Sequence, residues 1–241
     1  MGAAVKPTRR EERRVQTVQE IKQLAMEQIR EGGPDAVSLS GIVRAMSMSP
    51  AAVYRYFDNR DALLADLVVD AYNELADSLE ALTGEKGSPE VHLDAVLRGT
   101  RTWAQEHPNA YRLIFQTSIG SGQDFAVERT VPAASRSMSV IIDALAAAGG
   151  DNTVTSSRPP EQGGAISATI RAWAERSGKT AFSDEVLTLA LLTWTRLHGI
   201  ISLELGGHLD ATGIGATALF DAEVETIRAQ AGRLPLPQPS S

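Results

Sequence analysis

The stretch Leu39-Ser40-Gly41-Ile42-Val43-Arg44-Ala45-Met46-Ser47-Met48-Ser49-Pro50-Ala51-Ala52-Val53-Tyr54-Arg55-Tyr56-Phe57 decides the reading of this chain. It reads as two short helices around a tight turn. Ser38 is a natural N-cap for the first, predicted over Leu39 to Met46. Ser49 caps the second, with Pro50 at the first helical position, where its missing N–H costs nothing. Val53 and Phe57 lie four residues apart and share a face, with Ile42, Met46 and Met48 as packing partners. Pro50, Ala51, Tyr54 and Arg55 then point the other way. A short helix pinned on one face, with small residues, tyrosine and arginine on the other, suits a DNA major groove. Small residues let the backbone approach, an alanine methyl meets a thymine methyl, and Arg55 reads guanine or grips phosphate. Tyr54 and Tyr56 offer hydroxyls to phosphate. Ser40 sits where a helix start holds an anion, and Arg60 heads the next helix as another phosphate contact.

Outward from this stretch the pattern stays helical. Val18, Ile21, Ala25 and Ile29 predict a first helix over 15–31, stopped by Gly32-Gly33-Pro34. Asn59 caps a long helix over about 60–82 that carries Leu63, Leu64, Leu67, Val68, Ala71 and Leu75 and ends before Gly84. A larger segment follows. Ser88-Pro89-Glu90 opens a helix to Glu106, His107-Pro108-Asn109 breaks it, and Tyr111–Phe115 forms a short one. Gly120-Ser121-Gly122 is a loop, and a helix with Pro132 early in it runs to about Ala148. Residues 149–164 are rich in Gly, Ser, Thr and Pro and read as a loop, followed by a helix over 165–177. The last two helices, about 184–206 and 212–231, carry apolar seams. Leu187, Leu191, Trp194, His198, Ile201 and Leu205 repeat at 4, 3, 4, 3, 4, and Phe220, Val224, Ile227 and Ala231 at 4, 3, 4.

Composition agrees with an all-α protein. Hydrophobic residues are 43% and charged residues 22% of the 241. There is no cysteine, which excludes disulfides, thiol nucleophiles and thiolate metal sites. No Gly-x-Ser-x-Gly, His-Glu-x-x-His or phosphate-loop motif occurs, and the four histidines lack metal-ligand spacing. The expectation is no enzyme, no catalytic residue, no cofactor and no metal. The N-terminus has no apolar signal region, and the apolar run Val186–Thr195 is too short to span a bilayer, so a cytoplasmic protein is expected. The net charge of −7 hides an asymmetry. Residues 1–60 hold 10 Lys/Arg against 7 Asp/Glu, and the remainder 13 against 23. A small basic head can bind phosphate beside an acidic body, because screening limits the field to roughly 8 Å. Lys6, Arg9, Arg10, Arg13 and Arg14 make residues 1–14 a disordered basic arm, which either lies along DNA or serves as a solubilising tail.

Residues 38–72 resemble the DNA-binding domain of TetR-type regulators, through Ser49-Pro50-Ala51-Ala52-Val53-Tyr54-Arg55-Tyr56-Phe57-Asp58-Asn59-Arg60 and then Ala62-Leu63-Leu64. With the first helix, the likeness covers 15–72. The resemblance implies a three-helix head with a helix-turn-helix at 15–60, a connecting helix at 61–82, a larger helical ligand-binding and dimerisation domain at 83–233, and a tail at 234–241. It implies a homodimer on a double-stranded palindromic DNA operator, repressing until a small-molecule effector releases it. The implied DNA contacts fall at Ser40, Pro50, Ala51, Ala52, Tyr54, Arg55, Tyr56 and Arg60. Two residues depart from the family pattern. Ser47 stands where a turn glycine is usual, at a strain of about 1 kcal/mol. Gly41 lies inside a helix, where it either admits a phosphate or has no role. The alternative is a helical ligand-binding or interaction module that does not act through DNA.

In the body, His107-Pro108-Asn109-Ala110-Tyr111-Arg112-Leu113-Ile114-Phe115 and Trp194-Thr195-Arg196-Leu197-His198-Gly199 resemble the WHG-type subgroup of the family. Trp103, Tyr111, Phe115, Trp173, Trp194 and His198 are the residues that would line an effector site, or else belong to the general core. His198 is either a ligand contact or pH-sensitive group, or a structural residue. Leu187, Leu191, Ile201, Leu205, Phe220, Val224 and Ile227 form seams that pack in a dimer, within the subunit, or both.

Overall fold

A computed structural model of the chain describes residues 8–83, 87–115, 127–149 and 164–234. Among these there is no strand, and eleven α-helices carry the fold. They are α1 (Arg9–Gly32), α2 (Leu39–Ala45), α3 (Pro50–Val53), α4 (Arg60–Thr83), α5 (Pro89–Glu106), α6 (Pro108–Phe115), α7 (Val127–Ala147), α8 (Gly164–Arg176), α9 (Asp184–Leu205), α10 (His208–Thr212) and α11 (Ala216–Ala231). The expected loops at 120–122 and 150–163 and the tail beyond 234 lie outside the described residues.

α1 begins at Arg9, six residues before the start at 15 that the apolar periodicity predicts. Thr8 and Glu11 form a capping box: the Thr8 amide donates to Glu11 Oε2 at 2.6 Å and the Glu11 amide to Thr8 Oγ1 at 3.3 Å. Arg9 to Arg14 are therefore helical, and the expected disordered arm is corrected over those residues. The two-glycine stop after Leu205 also hides an extra turn. Gly207 and Gly213, both at φ 72°, bracket the one-turn helix α10. Only glycine enters that region freely, so each closes one helix and redirects the next.

The chain divides into two compact units. The first comprises residues 1–71 and 109–130. Its core gathers Ile21, Ala25 and Ile29 of α1, Leu39 and Ile42 of α2, Val53 of α3, Phe57, and Leu63, Leu64, Leu67 and Val68 of α4. Lys22 of α1 is almost fully buried and reaches Asp66 at 3.0 Å and Asp70 at 2.6 Å on α4. Arg129 of α7 joins Asp66 from its other side. Burial alone pushes the Asp66 carboxyl up, but hydrogen bonds from Arg129 and Lys22 outweigh it and hold the group below its ordinary value.

The second unit comprises residues 72–108 and 131–241. Within it α9 packs against α5, α8, α10 and α11. Leu93, Val96, Leu97, Ile142, Leu145, Ala190 and Leu197 fill the interior. Arg101 of α5 fixes the register of three helices. Its Nε and Nη2 donate to the two carboxylate oxygens of Glu204 on α9 at 2.8 and 2.6 Å. Nη2 also donates to Thr217 Oγ1 at 2.9 Å, and the guanidinium lies 5.2 Å from the Phe220 ring centroid on α11. A fork-to-fork pair with partial burial is among the stronger ionic contacts a protein makes.

Candidate nucleic-acid interface

The helix-turn-helix is assembled by short-range bonds. Ser38 caps α2, its Oγ accepting from the Gly41 amide at 3.3 Å, while its own amide donates to Gln28 Oε1 of α1 at 2.7 Å. This contact explains Gly41. A Cβ there would stand 2.9 Å from Gln28 Nε2, so the glycine makes room for the α1 side chain. The turn itself forces Ser47 to φ 52°, among the described residues the one non-glycine at positive φ. Ser47 donates its amide to Arg44 O and Met48 to Val43 O, both at 3.2 Å. Ser49 then starts α3 through its backbone carbonyl, which accepts from Ala52 at 2.9 Å and Val53 at 3.4 Å; its side chain makes no cap bond.

α3 is shorter than the sequence suggests, four residues continued by a turn through Tyr56. Its faces divide as expected. Val53, Phe57 and Ile42 are buried. Ser40, Pro50, Ala51 and Arg55 are exposed, Tyr54 is 49% exposed, and Ala52 and Tyr56 are half-buried. Arg60 is placed differently. Its Nη2 donates to Pro34 O at 2.7 Å and its Nε to Val37 O at 3.1 Å, with Asp35 and Asp61 within 3.5 Å. The guanidinium thus ties the start of α4 to the one-turn 3₁₀ segment Pro34–Ala36. Arg44, in the last turn of α2, is a cation the sequence reading passed over. It is exposed and has no carboxylate partner among the described residues.

Two family models match this sequence. Bacterial regulatory proteins, tetR family, covers residues 21–67, and Tetracyclin repressor-like, C-terminal domain, covers residues 93–227, more than half the chain. The chain belongs to the TetR family of transcriptional regulators. HTH-type transcriptional regulator Rv1816 of Mycobacterium tuberculosis is 31% identical over 224 residues, covering 91% of this chain and 94% of that protein. The solved protein SCO4313 is 35% identical with a TM-score of 0.74, covering 92% of this chain and 98% of that one. At the level of fold alone, FadR from Bacillus subtilis, solved with stearoyl-CoA, has a TM-score of 0.59 at 13% identity, over 88% and 98% of the two chains. This TetR-family regulator is therefore not an enzyme, and its head is a helix-turn-helix domain joined to a helical C-terminal domain.

The aromatic residues nominated for an effector site of the regulator fall in both units. Tyr111 and Phe115 belong to the first unit, their rings tilted against each other with centroids 5.0 Å apart. In the second unit Trp103 stacks on His107 at 5.6 Å and Trp194 meets His198 edge-on at 5.4 Å, while Trp173 is half-buried on α8. Burial pushes the His198 imidazole down to about 4, so it is neutral at physiological pH. Trp103 is buried, and its indole N–H has no acceptor among the described residues. It also lines a groove of about 290 Å³ with Ser78, Leu82, Ala95, Gly99, Thr102 and Glu106.

The seams on α9 and α11 are occupied inside the subunit. Leu187, Ile201, Phe220, Val224 and Ile227 are all 1% exposed or less, and Leu191 and Leu205 are half-buried. The five enclosed side chains pack within the subunit, and Leu191 and Leu205 keep part of their surface open. The open face of α9 is a different one, with Leu192, Thr195, Gly199 and Leu203 exposed, and Leu219 is exposed on α11. α9 is the one described helix long and apolar enough to cross a membrane, but it is the helix on which α5, α8, α10 and α11 pack.

Proposed function

We propose that this regulator is a cytoplasmic repressor that binds a palindromic DNA operator as a homodimer and leaves it when a small molecule occupies the C-terminal domain. The observation that carries the reading is the outward face of α3. Pro50, Ala51, Tyr54 and Arg55 stand clear of a helix held down by Val53, with Phe57 buried just beyond it. Such a face has no structural use within the subunit, and its chemistry matches base edges and phosphates. Ser40, Ala52 and Tyr56 flank it. Arg60 enters this proposal as the brace of the head, with its guanidinium directed at backbone carbonyls.

Dimerisation is proposed through the exposed face of α9 and α11. Gly199 has open space where a Cβ would point, with Leu192 and Leu203 on either side. A glycine between exposed leucines lets a second copy of the helix approach closely, and two helix pairs then form a four-helix bundle. For the effector, the proposed foothold is Trp103. A buried indole N–H without an acceptor costs about 1–3 kcal/mol, which a ligand carbonyl or carboxylate would recover.

Selection of bound duplexes from a random pool tests the reading. The expected product is a palindrome whose half-sites lie about 10 bp apart, one per head. Arg55→Ala should weaken that duplex by about 1–3 kcal/mol in anisotropy titrations while leaving random DNA nearly unaffected. A pool that emerges without sequence enrichment would overturn it.

A further inference from the structure

The first two turns of α1 and the end of α3 enclose a groove of about 800 Å³, lined by Thr8, Arg9, Arg10, Glu11, Arg13, Arg14, Arg55 and Tyr56. Arg9 and Arg13, and Arg10 and Arg14, are four residues apart, so they stack in two columns on one side of the helix. All four are exposed, and none of the five groove arginines has a carboxylate partner among the described residues. Ten cations elsewhere, Lys22, Arg30, Arg60, Arg98, Arg101, Arg129, Arg136, Arg171, Arg196 and Arg228, each reach a carboxylate. Arg14 stacks over the Tyr56 ring at 5.2 Å, which joins the arginine turns to the end of the reading helix.

This placement is unfavourable for the free protein. Like charges at i,i+4 repel, and cations at a helix N-terminus oppose the macrodipole. The helix keeps its form because Thr8 and Glu11 cap it, which also occupies the Thr8 and Glu11 amides that a small anion would use. The attraction of the groove therefore comes from guanidinium groups spread along two helical turns, which suits a polyanion of repeating charge. Continuity with Arg55 says which polyanion. On the proposed reading of α3, a strand whose bases meet that helix would run its phosphates past Tyr56, which Arg14 of α1 covers.

We infer that the groove between the start of α1 and the end of α3 is a second DNA site, which grips the sugar-phosphate backbone flanking each half-site without reading bases. The inference rests on the DNA-binding reading of α3 and extends the contact by one arginine-lined strand path per subunit.

The test uses the full chain, a duplex selected from a random pool by the wild-type protein, and the same duplex trimmed of its flanks. The variants are Arg9→Gln/Arg10→Gln/Arg13→Gln and the charge-keeping Arg9→Lys/Arg10→Lys/Arg13→Lys, with helix content and melting checked by circular dichroism. The glutamine variant is expected to keep the base preference of the wild type. Its log K against log salt slope should be shallower by about 2–3 per subunit, since each phosphate contact contributes about 0.9. Trimming the flanks should weaken the wild type and leave the glutamine variant unchanged, and the lysine variant should retain most of the slope. Unchanged affinity and slope in the glutamine variant, with Arg55→Ala still weakening binding, would overturn the groove and leave the reading of α3 standing. Loss of heparin binding with unchanged duplex binding would overturn it in favour of another polyanion. A wild type that enriches no sequence removes the α3 reading, and the groove inference with it.

Discussion

At the scale of single residues, Ser47 carries the clearest cost. Its φ of 52° places a Cβ in the left-handed region, where an L-residue loses about 1–2 kcal/mol relative to glycine. Ser47→Gly should therefore raise stability by about 1 kcal/mol in urea unfolding, with sequence preference on DNA unaltered; no gain would mean that the serine side chain compensates locally. His198 makes a second residue-scale prediction. Its folded pKa of about 4 lies below the ordinary 6.5, so the unfolded chain binds more protons between those values. Its contribution is intact above about pH 6.5 and is lost as pH falls towards 4. Asp66 and Glu204 are held low in the fold, so the stability they add is present at neutral pH and is lost only below about pH 4.5. The drop in Tm between pH 7 and pH 5 should thus shrink in His198→Gln, and an identical drop in both proteins would contradict the buried imidazole. Ser47 could be read from sequence because turn geometry is local. Arg60 could not. Its acceptors lie 23 and 26 residues away, a distance that only the folded head closes.

At the scale of helices, capping and periodicity made most of the boundaries legible. Ser38, Asn59 and Ser183 each cap the helix that follows, as their positions suggest. The start of α1 was missed although its signal was present: Thr8-Arg-Arg-Glu11 is a capping box ahead of the apolar pattern. The seams of α9 and α11 show the limit of periodicity. A repeat of 4 and 3 says that a helix has a buried side, not what buries it. Here the repeat faces the subunit's own core, and the open side has a weaker pattern of leucine, threonine and glycine. Gly199→Arg tests that side. It should raise the dimer dissociation constant at least about 100-fold in sedimentation velocity while helix content holds, because the glycine faces open space in the subunit. A variant that stays dimeric would place the interface elsewhere.

At the scale of the whole molecule, the charge asymmetry seen in sequence has a structural counterpart. Six exposed cations without a carboxylate partner among the described residues, Arg9, Arg10, Arg13, Arg14, Arg44 and Arg55, lie on the head, against Arg176 and Arg233 in the second unit, where Arg98, Arg101, Arg136, Arg171, Arg196 and Arg228 meet carboxylates. This much follows from counting charges. The division of the chain does not. Sequence order suggests a head followed by a body, yet residues 109–130 belong with 1–71. Arg129 shows why: its partner Asp66 lies 63 positions earlier, on α4, where Asp66 already holds Lys22 of α1. Pairings of that range leave no local trace in composition or period. A fragment ending at residue 71 should accordingly melt at least about 5 °C below the first transition of the full chain, since it lacks part of its own unit. Equal melting would show the excursion to be dispensable.

That interleaving also bears on how such proteins exchange parts. The polypeptide crosses the boundary between its units at 71/72, 108/109 and 130/131. A single crossover between two relatives, placed at the end of the helix-turn-helix, would graft a new reading head onto a segment that had adapted to the old one. Recombinants that preserve the first unit must carry two separated pieces of gene together, so on the proposed reading of α3 a point substitution there alters DNA specificity more easily than shuffling whole segments.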